Sequence, residues 1–141
     1  MWHKLATGQV VPDSAAERNA SVGKGNRGVV LDGRGEFANN AVSGNLGVGI
    51  LFNGSLVFPE LPTYVVEDNN LYGNGTAPFY PGEENCGTLN NTLLPFLDAR
   101  NNYWGQKTGP GNNPADEACG NRTVVEPYTS REANLKLTRV R

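Results

Sequence analysis

Histidine, cysteine and charged residues are scarce in this sequence of 141 residues. One residue is histidine, two are cysteine, 18% are charged, and the formal net charge is −2. A nucleic-acid-binding face needs clustered lysines and arginines, but even the basic tail "REANLKLTRVR" has its charges spaced out. The lone His3 and two distant cysteines do not supply a histidine-dependent nucleophile or a zinc site. We therefore predict neither a nucleic-acid partner nor a bound metal.

Long apolar runs are also missing. No stretch of about 18 apolar residues occurs, so the sequence predicts no membrane span. The first residues, "MWHKLATGQVVPDSAAE", lack the apolar run of a signal peptide. This leaves open whether a leader was removed, the chain is a fragment, or the protein stays inside the cell. No segment keeps an apolar spacing of three to four residues, so helices are not expected.

Asparagine and glycine are abundant instead, with 18 of each. Both are enriched at turns and at left-handed backbone positions. Their arrangement is regular, because "NASVGKGNRGVVL", "NAVSGNLGVGILF" and "NNLYGNGTAPFY" all begin with asparagine and have glycine four positions later. These segments begin at Asn19, Asn40 and Asn69, and we call them the starts of repeats 1, 2 and 3.

A fourth repeat begins within "RNNYWG". Aligning Asn102 with the openings of repeats 2 and 3 places Ala99 in line with Phe37 and Val66, and Trp104 in line with Val42 and Leu71. Using Asn101 would place Asp98 in an apolar column. We therefore favour Asn102 as the start of repeat 4, with Asn101 as the alternative.

The spacing of the openings predicts a parallel β-solenoid. The openings are 21, 29 and 33 residues apart, which suits one coil that adds a short strand to each of several parallel sheets. Stacked coils lie roughly 4.8 Å apart, so equivalent asparagines can form a hydrogen-bonded ladder. The predicted ladder consists of Asn19, Asn40, Asn69 and Asn102. The predicted core consists of Val29, Phe37, Val42, Ile50, Val66, Leu71, Phe79 and Trp104.

The unequal repeat lengths predict insertions on one side of the stack. The extra residues are expected after the positions of Leu31, Leu51 and Tyr80. They would lie around "SLVFPELPTY" in repeat 2 and "PGEENCGTLNNTLLP" in repeat 3. Insertions in a solenoid often form its binding face. Aromatic residues on this side, including Tyr80 and Tyr103, can stack on sugar rings or pack the loops onto the coils.

Cys86 and Cys119 lie in sequence rich in glycine, asparagine and proline. Their even number allows a single disulfide, which would indicate an oxidising compartment. Two unrelated thiols are the alternative. If bonded, the cysteines would tie two loops together.

Three stretches carry a resemblance to a known family: "NNAVSGNLGVGI", "DNNLYGN" and "DARNNYWGQKTGPGNNPADEACG". They resemble the Asn-rich repeat regions of right-handed parallel β-helix proteins in the pectate-lyase-like superfamily, found in secreted and cell-surface proteins of bacteria and archaea. The resemblance covers about residues 16–128. It implies an all-β fold, a short right-handed parallel β-helix of about four coils, and a secreted or cell-surface location. We expect an N-terminal segment or cap over 1–15, coils over 16–105, and a C-terminal cap and tail over 106–141.

The resemblance implies no single activity, because the superfamily includes enzymes, adhesins and spacers. We expect a non-enzymatic structural or binding module without a cofactor, with a glycan or a protein as partner. One alternative is a Ca²⁺-dependent polysaccharide lyase or epimerase. Its candidate catalytic residues are Glu67, Asp68, Asp98 and Arg100. Glu67 and Arg100 are expected at equivalent sites of neighbouring coils, and we favour a surface ion pair over a substrate or cation site. A further alternative is a homo-oligomer that associates through open β-helix ends.

Overall fold

The computed structural model describes residues 3–4, 9–11, 15–17, 19–22, 27–31, 35–52, 64–91 and 96–132. Its side chains are described from residue 27 onward, except at positions 35 and 64. The strands are β1 (His3–Lys4), β2 (Gln9–Val11), β3 (Ala15–Glu17), β4 (Asn19–Val22), β5 (Val29–Leu31), β6 (Gly35–Ala38), β7 (Ala41–Ser43), β8 (Ile50–Phe52), β9 (Tyr64–Glu67), β10 (Asn70–Tyr72), β11 (Cys86–Asn90), β12 (Leu97–Asp98), β13 (Glu117–Gly120) and β14 (Thr123–Val124). These ranges contain no helix, so the described fold is all-β, as the sequence predicted.

The strands form three separate parallel sheets. The first sheet has the order β1-β4-β7-β10, the second β13-β11-β8-β5-β2, and the third β14-β12-β9-β6-β3. From β1 to β12, successive strands along the chain visit the three sheets in turn, so β4, β5 and β6 are followed by β7, β8 and β9 in the same rotation. Neighbouring strands in a sheet therefore come from successive repeats.

The strand register reproduces the alignment of the repeats. Ala20 pairs with Ala41, and Ala41 pairs with Asn70, so the three openings that precede these residues lie at one level. A parallel bridge joins Asn70 to Tyr103, which sets Asn102 at that level too. The four repeats are therefore stacked in the register that the sequence predicted.

The paired strands extend beyond the range 16–105 that we expected for the coils. At the N-terminal side, β1 pairs with β4 and β2 pairs with β5. At the C-terminal side, β13 pairs with β11 and β14 pairs with β12. Backbone pairing needs no asparagine, so segments without the repeat motif still add strands to the same sheets.

Inward-facing apolar residues from all three sheets form the core. Strand β5 shows the alternation, with Val29 and Leu31 buried and Val30 only half-buried between them. Trp104 is the largest fully buried side chain among those that the structure describes. The main cluster consists of Val29, Leu31, Phe37, Val42, Ile50, Phe52, Val66, Leu71, Leu97, Ala99 and Trp104. Burying each of the larger aliphatic side chains contributes about 1.5–3 kcal/mol, so this column is the main source of stability.

The prediction that Phe79 belongs to the core is wrong, because its side chain is 73% exposed. The residue that pairs with Ile50 is Thr88, nine positions later (88 − 79), and its side chain is fully buried. Counting from Asn69 failed because repeat 3 contains extra residues before its second strand. The strand itself, β11, begins at Cys86, inside the stretch that the sequence analysis assigned to an insertion. The insertion expected around "SLVFPELPTY" in repeat 2 lies outside the described residues, apart from the backbone of Tyr64.

The asparagine ladder joins repeats 2, 3 and 4. The backbone N–H and the side-chain amide of Asn40 donate to Asn69 Oδ1, at 2.8 and 3.1 Å. The same two groups of Asn69 donate to Asn102 Oδ1, both at 3.0 Å. The predicted member Asn19 has a described backbone but no described side chain. The ladder pairs polar groups that would otherwise be buried without partners.

The residues before Asn40, Asn69 and Asn102 adopt a left-handed conformation. Asn39, Asp68 and Asn101 have φ values of 58°, 57° and 63°. Short polar residues tolerate this region better than other non-glycine residues. Each Asn-Asn or Asp-Asn pair therefore has two roles, a turn at the first residue and a ladder position at the second. Asn101, the alternative start of repeat 4, is the turn residue.

A second ladder consists of Asn45 and Asn74, each five residues after a ladder asparagine, and Asp116, which is fourteen residues after Asn102. The side-chain amide of Asn45 donates to Asn74 Oδ1 at 2.9 Å, and that of Asn74 donates to Asp116 Oδ2 at 2.7 Å. Asp116 is buried, and burial raises the pKa of its carboxyl to about 6 although bonds from Asn74 and Gly73 lower it. This ladder therefore ends in a carboxyl group inside the protein.

Cys86 and Cys119 form a disulfide, with Cα atoms 5.7 Å apart. The cysteines lie on β11 and β13, which are neighbouring strands of the second sheet. The expectation that they lie in loops is wrong. The bond instead links the strand of repeat 3 to the next strand of the same sheet.

Candidate functional site

The four predicted catalytic residues lie on and just beyond the third sheet. Asp98 pairs with Val65 in register, which sets Arg100 level with Glu67 on the neighbouring strand. Arg100 nevertheless binds Asp98, through Nε to Oδ1 at 2.8 Å and Nη2 to Oδ2 at 2.7 Å. Asp68 is exposed in the turn after β9. The structure therefore brings these residues near one another, but the arginine pairs within its own repeat.

The charges on this sheet affect each other's pKa values. The bidentate bond from Arg100 holds the pKa of Asp98 below its ordinary value, against the opposing effect of burial. Burial raises the pKa of Glu67, and a hydrogen bond with Glu36 and the nearby charge of Asp68 raise it further. Among the described residues, no group of three or more His, Cys, Asp or Glu side chains could hold a metal ion. Both oxygens of the best-placed carboxylate, Asp98, are already engaged by a cation.

A second candidate surface is the loop formed by residues 76–84, which replaces the short connection of repeat 2. Its base is closed by backbone bonds, since Asn85 N donates to Gly75 O at 2.9 Å and Gly75 N donates to Gly47 O at 2.8 Å. Gly75 has a φ of 70°, and a Cβ there would collide with the Asn85 nitrogen. Only glycine fits this position without strain. Loop 76–84 therefore projects from the stack with a fixed backbone conformation at its base.

Glu83 anchors loop 76–84 to the body of the protein. Its side chain is 2% exposed and accepts bonds from Arg27 Nε and Nη2 at 3.1 and 2.8 Å. The other carboxylate oxygen accepts a bond from Val48 N at 3.1 Å. A buried carboxylate is stable only when paired and hydrogen-bonded, and these contacts meet that requirement. The ion pair joins residues 56 positions apart in the sequence.

Two aromatic residues at the tip of the loop face solvent. Phe79 is 73% exposed and Tyr80 is 43% exposed. Their rings form an edge-to-face pair with centroids 5.0 Å apart. The Arg27 guanidinium carbon lies 4.2 Å from the centroid of the Tyr80 ring, which is a cation–π contact. The same arginine therefore holds both the buried carboxylate and the exposed aromatic pair.

The sequence pattern indicated Tyr80 as a possible sugar-stacking residue but gave no signal for Arg27 or Glu83. Glu83 lies in the stretch predicted to be an insertion of repeat 3, and Arg27 belongs to neither the predicted ladder nor the predicted core. No local pattern connects two charged residues so far apart in sequence. The second ladder had a signal, because Asn45 and Asn74 stand at the same position of their repeats.

The C-terminal end of the stack presents the last strands of two sheets. Strands β13 and β14 are the edge strands of the second and third sheets in the described part of the chain. Ala118 and Val125 pack against the core there while remaining partly exposed, and Val124 is 41% exposed. Such an edge can pair with another chain. Self-association through this end stays a prediction.

No helix among the described residues is long and apolar enough to cross a membrane. No family model, no curated protein and no solved structure matches this chain.

Proposed function

We propose that this chain is a short right-handed parallel β-helix of the pectate-lyase-like type that works as a non-enzymatic binding module. The support for the fold is the rotation of the chain through three parallel sheets and the asparagine ladder that joins its repeats. The disulfide supports a secreted or cell-surface location, because disulfides persist in oxidising compartments.

The exposed Phe79 carries the proposal of binding. A phenylalanine that is 73% exposed contributes little to folding, yet the structure anchors the loop that holds it. A buried ion pair and a cation–π contact position the aromatic pair on a projecting surface. Exposed aromatic rings of this kind bind the apolar face of a sugar or a side chain of a partner protein. We therefore place the binding face, for a glycan or a protein, on loop 76–84.

The Ca²⁺-dependent lyase or epimerase has weaker support from the geometry. Such an enzyme would use free carboxylates for the cation and a free arginine or lysine for the substrate. Asp98 and Arg100 are instead bound to each other through two hydrogen bonds. Two candidate residues remain, the exposed Asp68 and Glu67, whose pKa is raised. These two carboxyl groups lack the free arginine or lysine that the enzyme needs for its substrate.

The proposal is tested by Phe79→Ala in a binding screen against a glycan array and against extracellular proteins. We expect wild-type protein to bind a ligand and the variant to lose at least about tenfold in affinity, the cost of removing an anchoring aromatic residue. Val124→Ala, which removes an exposed apolar group at the other candidate surface, is the matched control and should bind like wild type. Equal binding by Phe79→Ala would refute the proposed face. Turnover of an acidic polysaccharide with Ca²⁺, lost on Arg100→Ala, would support the enzyme alternative instead.

A further inference from the structure

A polar cleft lies beside the base of loop 76–84. Its volume is about 330 Å³, and residues from repeat 3 and from the segment after repeat 4 line it. Thr76, Pro78 and Glu84 come from the loop, and Asn113 comes from the segment that follows Trp104. Sites for small ligands are clefts of roughly 300–1,000 Å³, so this one is large enough for a single sugar ring.

The polar side chains in the cleft have hydrogen-bonding groups to spare. Within the described residues, the Thr76 hydroxyl and the Asn113 amide have no hydrogen-bond partner, and both residues are exposed. One oxygen of Glu84 accepts a bond from Gly82 N at 3.1 Å, which leaves its other oxygen available. The hydroxyl and the amide can donate hydrogen bonds, and the carboxylate can accept them. A sugar hydroxyl both donates and accepts, so it can bind both kinds of group.

The walls of the cleft are held in place by structure around it. Asn85 Nδ2 donates to Gly111 O at 3.1 Å, which ties the base of the loop to the segment that carries Asn113. Asn74, at the back of the cleft, is fixed by the second ladder. The cleft therefore exists before any ligand arrives, and binding requires little ordering of the protein.

The negative charge in the cleft restricts which sugars can bind there. The described residues that line the cleft include the carboxylate of Glu84 and no lysine or arginine. A sugar with a carboxylate of its own would be repelled by Glu84 and would find no cation to pair with. A neutral sugar ring meets no such penalty.

We propose that this cleft is a subsite for a neutral sugar ring, whose hydroxyls donate to Glu84 and form hydrogen bonds with Thr76 and Asn113. Phe79 directly follows Pro78, which lines the cleft, so we expect an oligosaccharide longer than one ring to reach the aromatic pair. This inference rests on the proposed function and selects a glycan over a protein as the ligand.

The test is a titration of the protein with neutral and with uronic-acid oligosaccharides. Binding is monitored by the chemical shifts of the amide groups and by calorimetry. Neutral oligosaccharides should shift the side-chain amides of Asn113 and Asn85. Asn113→Ala and Thr76→Val should each weaken binding about three- to tenfold, since each removes one hydrogen bond to the ligand. Asn112→Ala, an exposed neighbour outside the cleft, should leave affinity unchanged. Glu84→Gln should raise affinity for uronic-acid oligosaccharides, because it removes the repulsion.

The outcomes separate this inference from the proposed function. If Phe79→Ala abolishes sugar binding while Asn113→Ala and Thr76→Val bind like wild type, the binding module stands and the cleft is not its subsite. Preference for uronic-acid sugars by wild-type protein overturns the charge argument and with it the inference. If no oligosaccharide binds and Phe79→Ala is without effect on any partner, both proposals are overturned. Binding of a protein alone, lost on Phe79→Ala, keeps the proposed function and overturns the sugar subsite.

Discussion

Replacing Asp116 with asparagine should make the protein more stable at neutral pH. The carboxyl group ends the second ladder in the interior, where Asn74 donates to both of its oxygens. Burial outweighs these bonds and raises its pKa from 3.8 to about 6. An asparagine is nearly the same size, carries no charge, and can accept both bonds from Asn74 at its single Oδ1, as Asn69 accepts both bonds from Asn40. The substitution therefore removes the cost of a buried charge and keeps the ladder.

The magnitude follows from the pKa values in the two states. Because the pKa rises on folding, the native state holds a proton that the unfolded state releases between pH 3.8 and about 6. Stability therefore falls as pH rises through this window, and above it the charged group costs about 3 kcal/mol, at 1.36 kcal/mol per pKa unit. Asp116→Asn should gain up to that amount at pH 7. The gain should vanish near pH 4, where Asp116 is protonated in the folded protein.

Urea unfolding followed by circular dichroism at several pH values between 4 and 8 measures this effect. The difference in free energy of unfolding between variant and wild type should grow from near zero to its full value across the window. Glu117→Gln removes a charge from the neighbouring, half-buried position and controls for the change in net charge. A variant that is no more stable than wild type at pH 7, or a gain that is equal at pH 4 and pH 7, would refute the account of Asp116.

Three further variants test other features of the structure. Replacing Cys86 and Cys119 together with serine should lower the free energy of unfolding by about 3–4 kcal/mol, the loop-closure entropy expected for their separation of 33 residues; urea unfolding with and without reductant measures it, and an unchanged midpoint contradicts it. Phe79→Ala should change the free energy of unfolding by less than about 0.5 kcal/mol, because the ring is mostly exposed. A large drop in Tm would show that Phe79 contributes to the core after all. Glu83→Ala should lower the free energy of unfolding by about 1–3 kcal/mol, since it leaves Arg27 and a backbone N–H without their partner. It should also increase protease cleavage within loop 76–84. Resistance to cleavage equal to wild type would show that the ion pair does not anchor the loop.

The stacking of the repeats could be predicted from the sequence because its signals are local and recur. An Asn-Asn or Asp-Asn pair marks a left-handed turn followed by a ladder position, and the same pair opens successive repeats. Apolar columns at fixed distances from that pair then follow strand alternation. The choice of Asn102 over Asn101 rested on these columns, and the bond from Asn69 to Asn102 has the predicted partner.

Features that depend on variable spacing or on distant contacts could not be predicted in the same way. Phe79 was placed by counting from the start of its repeat, and the count ignored residues inserted before β11. The pairing of Arg27 with Glu83 joins two repeats through a loop, so neither residue has a periodic position. Asp116 continues a ladder of asparagines with a different side chain, and a search for repeated asparagines passes over it.

The turn that opens each repeat also makes the length of the stack adjustable. Removing residues 40–68 would take out β7, β8 and β9, one strand from each sheet, and would join Asn39 directly to Asn69. The junction would again be a left-handed asparagine followed by a ladder asparagine, so the chain would re-enter the first sheet by the same step. Duplicating those residues would add a layer by the same rule. Proteins of this design can therefore lengthen or shorten by whole repeats through a single genetic event, with no new core to evolve.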